Sequence, residues 1–232
     1  MFQKDDKILI IAAHPDDETL GCSGLILKLI KKKIKVSILI LGEGVSARYG
    51  NGLEESPKSL NDRKKRTKSF LKFINFLKIK DFELYNHHCT KFDKYPISNF
   101  VKIIEKKIKK FKPTTIITHN PFDTNIDHTI TYEAVNISSR PSNNSNLRTV
   151  ITFEVPCSTH LSFKNEFKPN LFIDISKEIN LKLKCASFYK DEMRKYPFPR
   201  SFDGIKTLSK MRGMQSGCNY AEAFYIERKI IK

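Results

Sequence analysis

Residues 7–24 read KILIIAAHPDDETLGCSG. An unbroken apolar run from Ile8 to Ala13 stops at a histidine, a proline and three acids. A continuous apolar run bounded by turn residues marks a strand buried on both faces. The acids then open a segment with helical spacing over 17–33, carrying Asp17 and Glu18 in its first turn and lysines in its last, as the helix dipole favours. The stretch therefore reads strand, turn, helix. His14, Asp16 and Asp17 fall in the turn, at the carboxyl end of the strand, where chemistry tends to sit in α/β proteins. Pro15 stiffens that turn, and Gly21 allows close backbone approach.

The same alternation runs outward from this point. Strands are predicted over 35–42, 82–86, 114–119, 148–155, 171–176 and 221–228. Helices are predicted over 59–77, 97–111, 127–139, 177–193 and 202–215. Strands alternating with helices imply parallel βαβ units and a doubly wound sheet. The chain is read as one domain over 1–232, with 142–232 a less regular C-terminal elaboration. The polar stretch SRPSNNSNLR at 139–148 is the one internal boundary on offer, and it reads as a loop.

Composition bounds the function. The chain has 232 residues, 40% of them hydrophobic, enough for a full core. No stretch approaches the ~20 apolar residues that span a bilayer. The N-terminus lacks a secretory pattern, so the expectation is a soluble, cytoplasmic protein. The 5 cysteines are widely spaced with no CxxC, which argues against a disulfide framework or a cysteine zinc site. The net charge of +17 raises nucleic acid as a partner. Its lysines, however, alternate with apolar residues along helices. Val101, Ile104, Ile108 and Phe111 form one stripe with lysines on the other face. Solvated helix faces account for the charge without a specific nucleic acid; a surface that attracts anionic substrates is the sharper reading.

The turn after the first strand is no dinucleotide site. It has no GxGxxG, and its carboxylates would repel a pyrophosphate. An acidic turn with a histidine suits a cation. A second cluster, HNPFDTNIDHTITYEA at 119–134, follows the strand over 114–119. Parallel strands would bring both clusters to one sheet edge, where His14, Asp17 and His128 could meet. Two imidazoles and a carboxylate match a catalytic zinc site with one position left open. Taken singly, HPDD reads as a helix cap beside a surface histidine, and DH as a capped helix start. After two parallel strands, the pair reads as a site.

AHPDDETLGCSG at 13–24 together with NIDHTITYEA at 125–134 resembles the PIG-L/LmbE-like family of zinc-dependent N-acetylglucosaminyl deacetylases. The strand PTTIITHN and the late AEAF extend the resemblance over most of the chain. The resemblance implies a Rossmann-like three-layer fold with a mainly parallel sheet and the active site at the C-terminal ends of the strands. It implies Zn2+ held by His14, Asp17 and His128, with Asp16 as general base, and hydrolysis of an N-acyl group, chiefly acetyl, from an amino sugar, sugar nucleotide or glycan precursor. Fe2+ or Co2+ would fit the same site. Amide hydrolysis asks for these residue types independently. A divalent ion lowers the pKa of a bound water to ~7, and a carboxylate outside the metal shell must take the proton.

The chain departs from the family's common His-x-Asp-His by carrying Asn125 in the first place. Asn125 can donate an amide hydrogen bond but holds no proton at pH 7. Asp127, or Asp16 once protonated, could then serve the leaving amine. By resemblance Arg63 lies where members place a substrate arginine, although Arg66 stands where an acid usually follows. Asp93 and Arg48 are further candidates for substrate contact, and Glu154 could face the pocket. His119 could supply an imidazole, though a structural role suits its place in a strand. The partner expected is a small molecule or glycan with an N-acyl amine, and the charge would suit an anionic one; a homo-oligomer is left open. Two other readings stand beside this one: an amidase on a non-sugar acyl-amine or thiol conjugate, and a basic nucleic-acid-binding protein with a degenerate site.

Overall fold

A computed structural model describes residues 1–141, 146–163 and 166–231. Part of the loop expected over 139–148 lies outside the described residues. The elements in chain order are β1 (Lys7–Ala12), α1 (Asp17–Lys31), β2 (Lys35–Gly42), α2 (Pro57–Leu77), β3 (Asp81–His87), α3 (Ile97–Phe111), β4 (Thr115–His119), α4 (Ile126–Ser138), β5 (Thr149–Phe153), β6 (Leu171–Asp174), α5 (Ile179–Ala186), α6 (Phe202–Ser216) and β7 (Ala221–Lys229). Short 3-10 turns cover Ser46–Arg48 and Phe92–Lys94.

The strands form a single 7-stranded sheet in the order β3-β2-β1-β4-β5-β7-β6. The first five pair in parallel; β7 runs antiparallel to both β5 and β6. The α/β class and the mainly parallel sheet are as expected from the alternation, with β7 the one reversed strand among the described residues. Connections from β1 run outward to β2 and β3 on one side, and the chain then returns to place β4 on the other. The switch point thus lies between β1 and β4, where a crevice opens beyond the strand ends.

Two cores flank the sheet. Ile8, Ile10 and Ala12 of β1 face α1, α2, α5 and α6, while Leu9, Ile11 and Ala13 face α3 and α4. This alternation with helices on both faces makes the three layers. Helix α3 shows why its sequence folds so: Phe100, Ile104 and Ile108 are buried in one stripe.

Helix α1 is broken at Cys22 (φ −147°, ψ 18°), and the break is filled by an ion pair. Glu222 of β7 accepts from the N–H groups of Gly24 and Leu25, both at 2.7 Å. Lys182 of α5 donates to the Leu20 carbonyl at 2.8 Å and to Glu222 at 2.6 Å. Charged side chains therefore satisfy the donors and acceptors that the break frees. A Cβ on Gly21 would lie 2.2 Å from the Phe153 ring, so only glycine lets α1 sit this close to β5.

The expected helix 177–193 ends at Ala186. The chain beyond it turns inward, burying Tyr189, whose hydroxyl donates to Glu18 Oε1 at 2.7 Å.

Candidate active site

The β1–α1 turn and the β4–α4 turn meet at the switch point. His14 and Asp17 come from the first and His128 from the first turn of α4; all are buried. Each offers a ligand atom within 4.8 Å of the others, so the trio could hold a metal ion.

Carboxylates behind the imidazoles orient them. Asp127 lies 2.8 Å from His14 Nε2 and also accepts from the N–H groups of Thr90 (2.5 Å) and Phe92 (3.0 Å). His14 is left with Nδ1 facing Asp17, 3.5 Å away. Asp123 Oδ2 stands 3.2 Å from His128 Nδ1 and accepts from the Thr159 hydroxyl at 2.7 Å. Both His128 nitrogens are buried without hydrogen-bond geometry, Nδ1 beside Asp123 and Nε2 at 3.3 Å from Asp17 Oδ2. Burial would lower the His128 pKa, but Asp17 and Asp123 push it up to about 10. The donor set is thus one that concentrates negative charge on a single spot and leaves a buried imidazole nitrogen there unmatched. That chemistry fits a divalent cation.

Asp16 has a different environment. It occupies the N-cap position of α1 with φ 128°, a strained value for a residue with a Cβ, and its side chain makes no cap hydrogen bond. Its own N–H is held by Glu18 Oε2 at 3.0 Å. Burial, helped by the neighbouring Asp17, raises the Asp16 carboxyl to about 6 against the pull of Arg66 and Arg200. The adjacent acids are thereby separated: Asp17 lies among imidazoles, and Asp16 faces the cavity with Arg66 at 3.7 Å and Arg200 at 3.9 Å from its Oδ2.

The cavity has a volume of about 210 Å³, with His14, Asp16, Asp17, Asn125 and His128 in its wall. Asn125 caps α4, its Oδ1 accepting from Asp127 N–H at 3.0 Å, and its Nδ2 has no partner among the described residues. Asp127 does not line the cavity and is fully buried.

The substrate candidates divide. Arg48 lines the cavity and donates to Glu192. Arg63 does not line it: its guanidinium is drawn away to Glu55 at 2.7 Å, with Glu43 at 4.0 Å. Asp93 also stays outside, exposed, because Phe92 takes the inward place in that 3-10 turn and packs on Phe100. Glu154 is bound bidentately by Arg212, at 2.8 and 2.5 Å, and does not reach the cavity. His119 is structural here: its Nε2 accepts from the Ala13 N–H at 2.9 Å, and its ring stacks on His128 with centroids 3.9 Å apart.

Sequence reasoning missed Arg66, Glu192 and Arg200 as cavity residues. Arg66 had a signal. The buried stripe of α2, Leu77, Ile74, Phe73 and Phe70, continues back onto it, and a charge in an apolar stripe is a flag. Glu192 and Arg200 had none, lying in irregular chain after α5.

Fold and site together define an α/β protein with a metal-capable His/Asp/His centre at the switch point of a mainly parallel sheet. Residues 9–137 match the model of the PIG-L family, described as GlcNAc-PI de-N-acetylase, and the chain belongs to that family of N-deacetylases. It is 27% identical to the diacetylchitobiose deacetylase of Thermococcus kodakarensis over 95% of this chain and 83% of that protein. Among solved structures, the N,N'-diacetylchitobiose deacetylase of Pyrococcus horikoshii superposes with TM-score 0.75 at 22% identity, over 96% of this chain and 84% of the other. The 4-carboxy-2-hydroxymuconate hydratase GalB of Pseudomonas putida has the same fold, with TM-score 0.74, 16% identity and coverage of 97% and 98%. Among the described residues, no helix is long and apolar enough to cross a membrane.

Proposed function

We propose that this chain is a zinc-dependent deacetylase that removes an N-acetyl group from an amino sugar or glycan precursor. One observation carries the reading. The His14–Asp17–His128 donor set shares its cavity with a carboxylate, Asp16, that makes no hydrogen bond among the described residues.

His14 through Nδ1, Asp17 through a carboxylate oxygen and His128 through Nε2 would hold the ion. Such an ion supplies Lewis acidity, lowering the pKa of water to about 7 and polarising an acyl oxygen. Zinc suits this nitrogen and oxygen set, and Fe2+ or Co2+ fits it too. The remaining work falls to the chain's own groups. Asp16 takes the proton of the attacking water and returns it to the leaving amine. A carboxyl pushed up to about 6 is matched to both tasks near neutrality. Asn125 Nδ2 donates to the acyl oxygen as it gains charge. Asp127 and Asp123 hold the two imidazoles in their tautomers and orientations.

The test compares the two adjacent acids. Asp16→Asn should keep the metal and lose roughly 10²–10⁴-fold in acetate release from an N-acetyl amino sugar. Asp17→Asn should lose metal first. The same phenotype in both variants would refute the division of roles, and no acetate release by the zinc-loaded wild type from any N-acetyl amino sugar would refute the activity.

A further inference from the structure

Three arginines converge on one acid in the cavity wall. Glu192, buried, is met at Oε1 by Arg48 and by Arg66, and at Oε2 by Arg200 from 3.5 Å. Arg66 is itself buried and donates to the Pro15 carbonyl at 2.8 Å. It lies 3.7 Å from Asp16 Oδ2, and Arg200 lies 3.9 Å from the same oxygen. The arginines come from three separate segments: the turn after β2, α2, and the chain beyond α5.

A cluster that only tied these segments together would balance its charge. This one does not. Leaving Asp17 to the metal, the wall carries Arg48, Arg66 and Arg200 against Asp16 and Glu192. Arg48 and Arg200 are about a third exposed, at 39% and 31%, and both line the cavity. Arg200 Nε is buried with no hydrogen-bond partner among the described residues. Guanidinium groups held by a carboxylate on one edge and open on the other form a fork suited to the oxygens of phosphate or carboxylate.

Resting on the deacetylase reading, we infer that the N-acyl amino sugar this chain acts on bears an oxyanion, a phosphate or carboxylate, received by Arg48 and Arg200. Arg66 is a positioning residue that holds Glu192 beneath them. Because Arg66 and Arg200 both stand next to the base Asp16, the anion lies close to the scissile amide, on the same sugar or on the group directly attached to it.

The test uses the zinc-loaded full chain and two readouts. The first is kcat/KM for acetate release from N-acetylglucosamine, its 1- and 6-phosphates, and N-acetylmuramic acid, which carries a carboxylate. The second is calorimetric binding of glucosamine against glucosamine 6-phosphate and muramic acid, which needs no turnover. At least one anionic sugar should be preferred over its neutral counterpart by about tenfold or more in both readouts, falling as salt is raised. The phosphate and carboxylate arms show which oxyanion is read. Arg48→Met and Arg200→Met should each bring the anionic-to-neutral ratio toward one, and Arg48→Lys should recover part of it. Equal turnover of neutral and anionic sugars would leave the deacetylase standing and overturn this inference. So would equal binding, or a preference unchanged in both Met variants. Anion-selective binding without acetate release from any sugar would uphold the arginine fork and sink the deacetylase instead.

Discussion

Asp127→Asn separates a positioning residue from a proton donor. The wild-type carboxylate accepts from His14 Nε2, Thr90 N–H and Phe92 N–H and is wholly buried. An amide of the same shape has a single acceptor oxygen. With that oxygen in the Oδ2 place, His14 and Thr90 keep their partner, but the NH₂ faces the Phe92 N–H. One buried donor is orphaned, at a cost of about 1–3 kcal/mol. With the amide reversed, its NH₂ faces both Thr90 and His14. The imidazole must then carry its proton on Nδ1, the atom offered to the metal. The first arrangement loses less, yet it still removes the negative charge behind His14. Metal affinity should therefore fall by about 10–100-fold. For a chain of this length the stability loss corresponds to roughly 2–12 °C in Tm. The assays are zinc competition against a chelator, thermal denaturation, and turnover with zinc in excess, where activity should stay near wild type. Normal metal affinity and stability, with turnover down about 10²-fold or more, would refute the reasoning and make Asp127 the proton donor that its sequence position suggested.

Two further outcomes are expected. Asn125→Ala should cost about 1 kcal/mol as a lost cap and cut turnover ~10²-fold as a lost donor, with metal content unchanged; wild-type turnover would reduce this residue to its cap. Arg212→Met strands Glu154 in the protein interior beside His160 and should cost about 3–5 kcal/mol at neutral pH in urea denaturation. Burial raises the Glu154 carboxyl, but its hydrogen bonds to His160 and Arg212 hold it below 4.5. Its contribution is therefore full above about pH 4.5 and is lost as pH falls through the lower folded value. Wild type and variant should converge in acid, and a gap independent of pH would contradict that assignment.

Local pattern carried the sequence reading a long way. The apolar run of β1, the acidic first turn of α1 and the DH opening α4 each declare themselves within a dozen residues, because strand burial and helix polarity are properties of neighbours in the chain. The expectation that both clusters share a sheet edge needed only parallel strands, and β1 does pair with β4. Periodicity says which face of an element a residue shares, not how far along that face the site lies. Arg63 and Arg66 both fall on the inward stripe of α2, and only the sheet order sets Arg66 at the strand end while Glu55 draws Arg63 away. The end of α5 was likewise invisible: helical spacing continues past Ala186, but Glu18 takes the Tyr189 hydroxyl, and the chain that turns in behind it carries Glu192 and Arg200 to the cavity. Asp127 read as a catalytic acid because its sequence neighbours are a candidate donor and a ligand. Its three partners, His14 in the turn after β1, Thr90 and Phe92, are brought to it by the fold alone. What a residue can do chemically was written in its type and its near neighbours. Which partners consume that chemistry depended on contacts between segments distant in the chain, which only the packed sheet and its loops bring within hydrogen-bond range.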